Sequence, residues 1–167
     1  AIMIDTSGST GKDLRYETTS VSKFLEALVR EGNPDDAASL YAFNDEVTIL
    51  SGYTRRITRI EERLKNLKAD AGTSLYDAIY LAAPGLRERE GRHVIVAITD
   101  GGDTTSSWKY KDALDAAQKA DAIFYPVVVV PITNPAGRNT AGEHALETLA
   151  ASTGGRAGLR PRVALVT

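Results

Sequence analysis

The chain has 167 residues, 43% of them hydrophobic, and a formal net charge of −2 at pH 7. That length is enough for one well-buried core and too short for two ordinary domains. The weak net charge gives no electrostatic reason to expect a nucleic acid or an anionic membrane as partner. Because cysteine is absent, disulfides, thiolate catalysis and cysteine-based metal sites are excluded.

Hydrophobic spacing predicts strands and helices that alternate along the chain. The predicted strands lie at residues 1–5, 37–43, 47–50, 93–99 and 123–130, and around residues 156 and 157. The predicted helices lie at residues 14–29, 57–67, 75–86 and 110–117, and at about 143–152. The early Pro126 argues against a central position of the fifth strand at that point. A long loop is predicted over residues 131–142.

This alternation favours an α/β fold, a Rossmann-like three-layer sandwich with helices on both faces. Its central sheet should be mostly parallel, with one antiparallel edge strand formed by the hairpin around Asn44 and Asp45. One domain is expected over residues 1–157, with residues 158–167 as a tail of uncertain role. No apolar run approaches the ~18 residues that a membrane span requires.

The segment Asp5-Thr6-Ser7-Gly8-Ser9, directly after the first strand, has the composition of a metal-binding turn. A loop that curls at Gly8 can direct one carboxylate and two hydroxyls towards one point, and glycine tolerates the positive φ that such a curl can need. Hard oxygen donors suit Mg²⁺, Ca²⁺ or Mn²⁺ better than zinc or copper. Since three donors are too few for a six-coordinate ion, further oxygen ligands are expected elsewhere.

Two later segments can supply these ligands. Gly72-Thr73-Ser74 stands before the third predicted helix, and Thr99-Asp100-Gly101 closes the fourth predicted strand. In sheets of this type, ligands bind beyond the carboxyl ends of the strands, where the strand order reverses. The first and fourth strands should flank that point, so Asp5 and Asp100 are expected at the same place.

Together, Asp5-x-Ser7-x-Ser9, the distant Gly72-Thr73 and the later Thr99-Asp100-Gly101 resemble the metal-ion-dependent adhesion site (MIDAS) of von Willebrand factor type A (VWA) domains. The likeness extends over residues 1–157 and is strongest to bacterial members, through segments 72–78 and 148–157. Thr10 departs from the family pattern, which usually has methionine there. The resemblance implies a Mg²⁺ site, with Mn²⁺ or Ca²⁺ also possible, whose ligands are Asp5, Ser7, Ser9, Thr73 and Asp100.

The resemblance also implies a function. The expected protein is a cation-dependent protein-binding module without catalytic activity, in which an Asp or Glu carboxylate of a protein partner completes the coordination shell. The alternative is a metal-responsive VWA subunit of a larger assembly, such as a chelatase or AAA ATPase complex. Neither interpretation involves a nucleic acid. The compartment is left open, with an extracytoplasmic or cell-surface location slightly favoured.

Other roles exist for the same residues. Asp5, Ser7 and Ser9 could form a helix-capping turn, while Thr73 could cap the helix at Leu75 and Asp100 could close a turn with Gly101. These roles are compatible with metal binding. An aspartic-protease-like pairing of Asp5 and Asp100 conflicts with the predicted helices and the short chain. The two histidines, His93 and His144, are expected outside the site.

Loops at the rim of the expected site supply candidate specificity residues. They follow the fourth and fifth strands and are Asp103, Thr104, Thr105, Trp108, Arg138, Asn139 and Thr140. An exposed Trp108 would be a suitable contact anchor. The other possibility is that Trp108 packs under the helix that begins at Lys109.

Overall fold

The structure is a computed structural model and describes residues 1–8, 14–130, 140–156 and 158–161. Its strands are β1 (Ile2–Asp5), β2 (Ala38–Phe43), β3 (Val47–Thr54), β4 (His93–Thr99), β5 (Ala122–Val130) and β6 (Gly158–Pro161). Its helices are α1 (Leu14–Glu31), α2 (Ile57–Leu64), α3 (Leu75–Arg87), α4 (Tyr110–Lys119) and α5 (Thr140–Ser152). Within these described ranges, none of the helices is both long and apolar enough to cross a membrane.

The six strands form one sheet in the order β3-β2-β1-β4-β5-β6. All neighbouring strands are parallel except β2 and β3, which form the antiparallel hairpin at one edge. The predicted mostly parallel sheet with an antiparallel edge strand is therefore confirmed. Strand order reverses between β1 and β4, so these two strands flank the point at which such sheets bind ligands.

Side chains from the two faces of the sheet enter separate hydrophobic clusters. Met3 of β1 packs in the cluster that contains residues of α3, α4 and α5. Its neighbours Ile2 and Ile4 pack on the opposite face, in the cluster that contains Val21 of α1 and Ile60 of α2. This alternation follows from the period of two in a strand. The sheet is therefore the middle layer of three, as the sequence predicts.

Several element boundaries differ from the prediction. β3 continues to Thr54 rather than ending at Leu50, and its pairing with β2 passes through two register shifts. Each irregularity breaks the alternation from which strand length is inferred. α2 ends at Leu64, although Leu67 still packs on the core. α5 begins at Thr140 rather than near residue 143, and residues 131–139 of the predicted loop lie outside the described residues.

The last strand lies later in the chain than predicted. β6 is formed by Gly158–Pro161 rather than by residues around 156 and 157, and it pairs in parallel with Val127–Val130. The sheet therefore continues four residues beyond the predicted domain boundary at 157. Residues 162–167 of the predicted tail lie outside the described part of the chain.

β5 is an internal strand, yet the expectation from Pro126 has a structural counterpart. Pro126 is in register with Ala97 of β4. Pairing with β6 begins only at Val127, so no described strand flanks Pro126 on its other side. The missing N–H of proline therefore falls where β4 is the one described neighbour of β5.

Candidate metal centre

The carboxyl ends of β1 and β4 bring two of the predicted ligands to the same edge of the sheet. Ile4 is in register with Ile98, so Asp5 lies level with Thr99 and Asp100 follows directly. On the other side of β1, Asp5 pairs with Phe43 of β2. The fold thus places both carboxyl-bearing residues at the switch point.

Asp5 is fully buried and its two carboxylate oxygens hold neighbouring segments. Oδ1 accepts the backbone N–H of Ser7 at 2.8 Å, and Oδ2 accepts the Thr99 hydroxyl at 2.6 Å. Burial raises the pKa of Asp5, and the charge of Asp100 raises it further, while hydrogen bonds from Ser7 and Thr99 act in the opposite direction. A cation beside both carboxylates would offset the free-energy cost of burying their charges and would reduce their mutual repulsion.

Ser7 brings the first loop against a second one. It is buried and forms an isolated parallel bridge with Asp70, whose N–H donates to the carbonyl of Thr6 at 2.9 Å. Gly8 does not adopt the positive φ that the sequence suggested. Ser9, the third predicted ligand of this motif, lies outside the described residues, as does Thr10.

The positive φ occurs instead in the second loop, at Gly72. Its φ is +80°, and a Cβ there would lie 2.9 Å from both Asp45 Cβ and Thr105 Oγ1. A side chain is thus opposed by backbone conformation and by space. Glycine before Thr73 is required by this close approach of three loops.

Thr73 is 7% exposed and is held by its backbone. Its N–H faces the hydroxyls of Thr104 and Thr105 at 3.0 and 3.1 Å, and its carbonyl accepts the N–H of Thr104 at 2.8 Å. The N-cap of α3 is Ser74, not Thr73. No hydrogen bond joins the Thr73 hydroxyl to another described residue, so this hydroxyl is available to a ligand.

Asp100 is partly buried, and its carboxylate forms no hydrogen bond or ion pair within the described ranges. It does not close the turn with Gly101. Thr99 does so, because its Oγ1 accepts the N–H of Gly101 at 3.2 Å while donating to Asp5. The sequence interpretation therefore missed Thr99 as a site residue. The available signal was a hydroxyl residue at the last position of a buried strand, next to Asp100.

The described arrangement has the chemistry of a hard-cation site. Its donors are the carboxyl groups of Asp5, at the end of β1, and Asp100, directly after β4, together with the hydroxyls of Ser7 and Thr73 in loops. All are oxygen donors of the kind that Mg²⁺ prefers. Among the residues that the structure describes, no three His, Cys, Asp or Glu side chains form a group that could hold a metal ion by themselves. Any cation bound here therefore depends on hydroxyl donors as well as on Asp5 and Asp100.

The rim residues have mixed outcomes. Trp108 stacks on Tyr80 of α3, with ring centroids 3.9 Å apart, and remains 42% exposed. It therefore packs on α3 rather than under α4. Thr140 is the exposed first residue of α5. Arg138 and Asn139 lie outside the described residues.

His93 is remote from Asp100. His93 begins β4, at the opposite end from Asp100, and its ring nitrogens contact the carbonyls of Ala120 and Arg89 at 2.5 and 2.8 Å. His144 is exposed on α5. His93 is therefore not placed to act as a base at the candidate centre.

Comparison with known families gives a decisive match. The sequence profile of the von Willebrand factor type A domain matches residues 1–102, which include Asp5, Ser7, Thr73 and Asp100. The chain belongs to the von Willebrand factor type A domain family. No protein among those with curated functions matches the sequence of this VWA domain significantly.

Solved structures share the VWA fold at low sequence identity. BatB from Bacteroides thetaiotaomicron has a TM-score of 0.74 and 18% identity over 97% of this chain and 89% of that protein chain. The SpRpn10 VWA domain has a TM-score of 0.71 and 16% identity over 99% and 88% of the respective chains. A three-domain fragment of the type V pili tip protein Mfa5 from Porphyromonas gingivalis has a TM-score of 0.58 and 20% identity.

In the Mfa5 fragment the match covers 62% of this chain and only 19% of that chain. The VWA domain therefore corresponds to a small part of that longer protein. At these identities, the comparisons with solved structures establish the fold of this VWA domain alone.

Proposed function

We propose that this VWA domain is a divalent-cation-dependent protein-binding module with a MIDAS-type centre and no catalytic activity. Asp5, Ser7, Ser9, Thr73 and Asp100 would hold Mg²⁺, with Mn²⁺ or Ca²⁺ as possible substitutes. The cation would act as a charged bridge to a carboxylate of the partner. The observation that supports the proposal most strongly is that Asp5 and Asp100 end neighbouring strands at the strand-order switch, while the loop that follows Asp100 hydrogen-bonds to the backbone of Thr73.

The donor chemistry supports this assignment. Asp5 is buried and shares its site with a second acid whose charge raises its pKa further. Asp100 has no ion-pair partner among the described residues, and the described side-chain donors to Asp5 are the hydroxyls of Ser7 and Thr99 rather than basic groups. A dication supplies the positive charge that two neighbouring carboxylates favour, and its hydroxyl ligands remain neutral.

The charge balance favours a partner carboxylate. Three neutral hydroxyls and two acids leave at least one position of an octahedral Mg²⁺ shell for another ligand. A dication whose acidic neighbours are partly engaged in protein hydrogen bonds retains an attraction for a further anion. Because Mg²⁺ gives up water reluctantly, exchange for an Asp or Glu oxygen is favoured over exchange for a neutral group.

Metal binding tests the centre directly. Isothermal titration with Mn²⁺ and Mg²⁺ should detect binding to the wild-type domain, and Asp5→Ala and Asp100→Ala should abolish it. Asp35→Ala removes an exposed acid from the loop between α1 and β2 and serves as the control with unchanged binding. Equal affinity in Asp100→Ala and wild-type protein would exclude this metal centre.

Partner binding is tested separately. A pull-down from the native source in Mg²⁺ should retain a protein that EDTA releases and that Asp100→Ala does not capture. Replacing the responsible acidic residue of that protein by Asn or Gln should weaken binding about as much as EDTA. A partner that stays bound in EDTA would refute the cation-bridge mechanism, whatever the result of the metal titration.

A further inference from the structure

The loop that carries Asp100 and the start of α3 are joined by reciprocal hydrogen bonds, which we call the clasp. The clasp consists of Asp103 and Ser106 in the loop and of Asp77 in the first turn of α3. Asp103 Oδ1 accepts the backbone N–H of Tyr76 at 3.1 Å and the Ser106 hydroxyl at 2.5 Å. The loop thus satisfies a backbone donor that the start of a helix leaves free.

The helix binds the loop in return. The N–H of Asp77 donates to Ser106 Oγ at 3.0 Å. The carboxylate of Asp77 accepts the N–H groups of Ser107 and Trp108 at 3.0 and 2.8 Å. Asp77 is the acidic residue of the first turn of α3, where the helix dipole favours a negative charge. Each element therefore supplies both donors and acceptors to the other.

The clasp bears directly on the position of Thr73. Both the N–H and the carbonyl of Thr73 bond to Thr104 and Thr105, which lie between Asp103 and Ser106 of the clasp. Ser74 adds a hydroxyl contact to Thr105 at 2.8 Å. Thr73 is therefore fixed by the same loop that carries Asp100, and its distance from Asp100 depends on the conformation of that loop.

We propose that Asp77, Asp103 and Ser106 are positioning residues that set the separation of Thr73 and Asp100 for cation binding. This inference rests on the proposed function, since it assigns a role toward the proposed metal centre. Mg²⁺ requires near-ideal octahedral geometry, so two ligands on separate loops must be held at a defined distance. Groups that orient metal ligands without touching the metal affect affinity in this way.

Ser106→Ala is the most informative variant, because it removes two hydrogen bonds of the clasp without changing any charge. Mn²⁺ affinity should fall roughly tenfold, the lower end of the effect of such orienting groups. Ser107→Ala is the matched control, since only the backbone of Ser107 takes part in the described hydrogen bonds. Ser106→Thr retains the hydroxyl and should restore most of the affinity.

Amide hydrogen exchange of the metal-free protein measures how firmly the clasp holds the loop, independently of metal binding. In Ser106→Ala, the Thr104 and Thr105 amides should exchange faster, although neither bonds to Ser106, while amides of β1 and β4 keep their wild-type rates. If exchange at Thr104 and Thr105 is unchanged, the clasp does not position Thr73, and the inference fails. If exchange accelerates but wild-type protein does not bind Mn²⁺, the proposed function fails and the coupling of the loops stands as a structural property only.

A second pair of variants covers the case in which Ser106→Ala folds poorly. Asp77→Asn weakens the acceptor for Ser107 and Trp108, whereas Asp112→Asn weakens a similar acceptor at the start of α4, where Asp112 binds the Lys109 N–H at 3.0 Å. Both variants lose one acidic charge. A larger loss of Mn²⁺ affinity in Asp77→Asn than in Asp112→Asn supports the positioning role, and equal losses overturn it.

Discussion

The hydroxyl of Thr99 donates to Oδ2 of Asp5 at 2.6 Å, which joins the last residues of β4 and β1 where the strand order reverses. Both residues are fully buried. The bond satisfies one oxygen of a carboxylate that is shielded from water, and it fixes the orientation of the carboxylate with which the candidate metal motif begins. Thr99 is therefore a structural partner of the candidate centre.

Thr99→Val should destabilise the domain by about 1–3 kcal/mol, because it removes the hydrogen-bond donor to a buried carboxylate oxygen while keeping the side-chain shape. Urea denaturation measures this loss as a lower free energy of unfolding. Thr148→Val is a suitable control, since the Thr148 hydroxyl bonds to a carbonyl on the exposed side of α5. An equal effect of the two substitutions would contradict a special role for Thr99.

Gly72→Ala should destabilise the domain and weaken metal binding. The positive φ alone costs a non-glycine residue about 1–2 kcal/mol, and the new Cβ would lie 2.9 Å from Asp45 Cβ and Thr105 Oγ1. Gly91 also has a positive φ, but a Cβ added there would meet no atom within 4 Å. In thermal unfolding, the stability lost in Gly91→Ala therefore measures the cost of the positive φ alone. Any additional loss of stability in Gly72→Ala measures the crowding of the new Cβ. Similar losses of stability in the two variants would show that the loops around Gly72 can move apart to accommodate the added methyl group.

EDTA should leave the domain folded. The core lies between the sheet and its two helix layers, whereas the candidate ligands lie at the end of β1 and on loops beyond the sheet, so we expect that folding does not depend on the metal as it does in a zinc finger. Circular dichroism should show the same helix content with Mg²⁺ and with EDTA. Added Mg²⁺ should raise the thermal midpoint through binding to the native state. Loss of helix content in EDTA would make the metal structural.

Alkaline stability should depend on Tyr76. Burial, with smaller contributions from Asp103 and Tyr110, raises the pKa of Tyr76 above its ordinary value of 10.0. The unfolded phenol ionises first, so the folded state binds more protons above that pH, and stability falls as pH rises through this range. Tyr76→Phe should make the fall shallower in urea denaturation series, whereas Tyr125→Phe, at an exposed position, should not.

The sequence predicted the layers well because each element carries its own pattern. The continuous apolar run at His93–Thr99 forms β4 as expected, and the residues with helical spacing form α3. Predictions failed where pairing overrides local pattern. β3 is longer because irregular pairing with β2 continues it, and β6 lies at Gly158–Pro161 because β5 offers a partner there.

By itself, the sequence determined the fold class and the segments of the proposed metal motif, since hydrophobic period and the order of Asp5, Thr73 and Asp100 are local or linear properties. Only the tertiary structure decided how those segments meet. The hydrogen bond from Thr99 to Asp5, the crowding at Gly72 and the clasp between Asp77 and Ser106 all join residues on separate segments. Their geometry follows from strand register and loop packing, which a linear pattern does not encode.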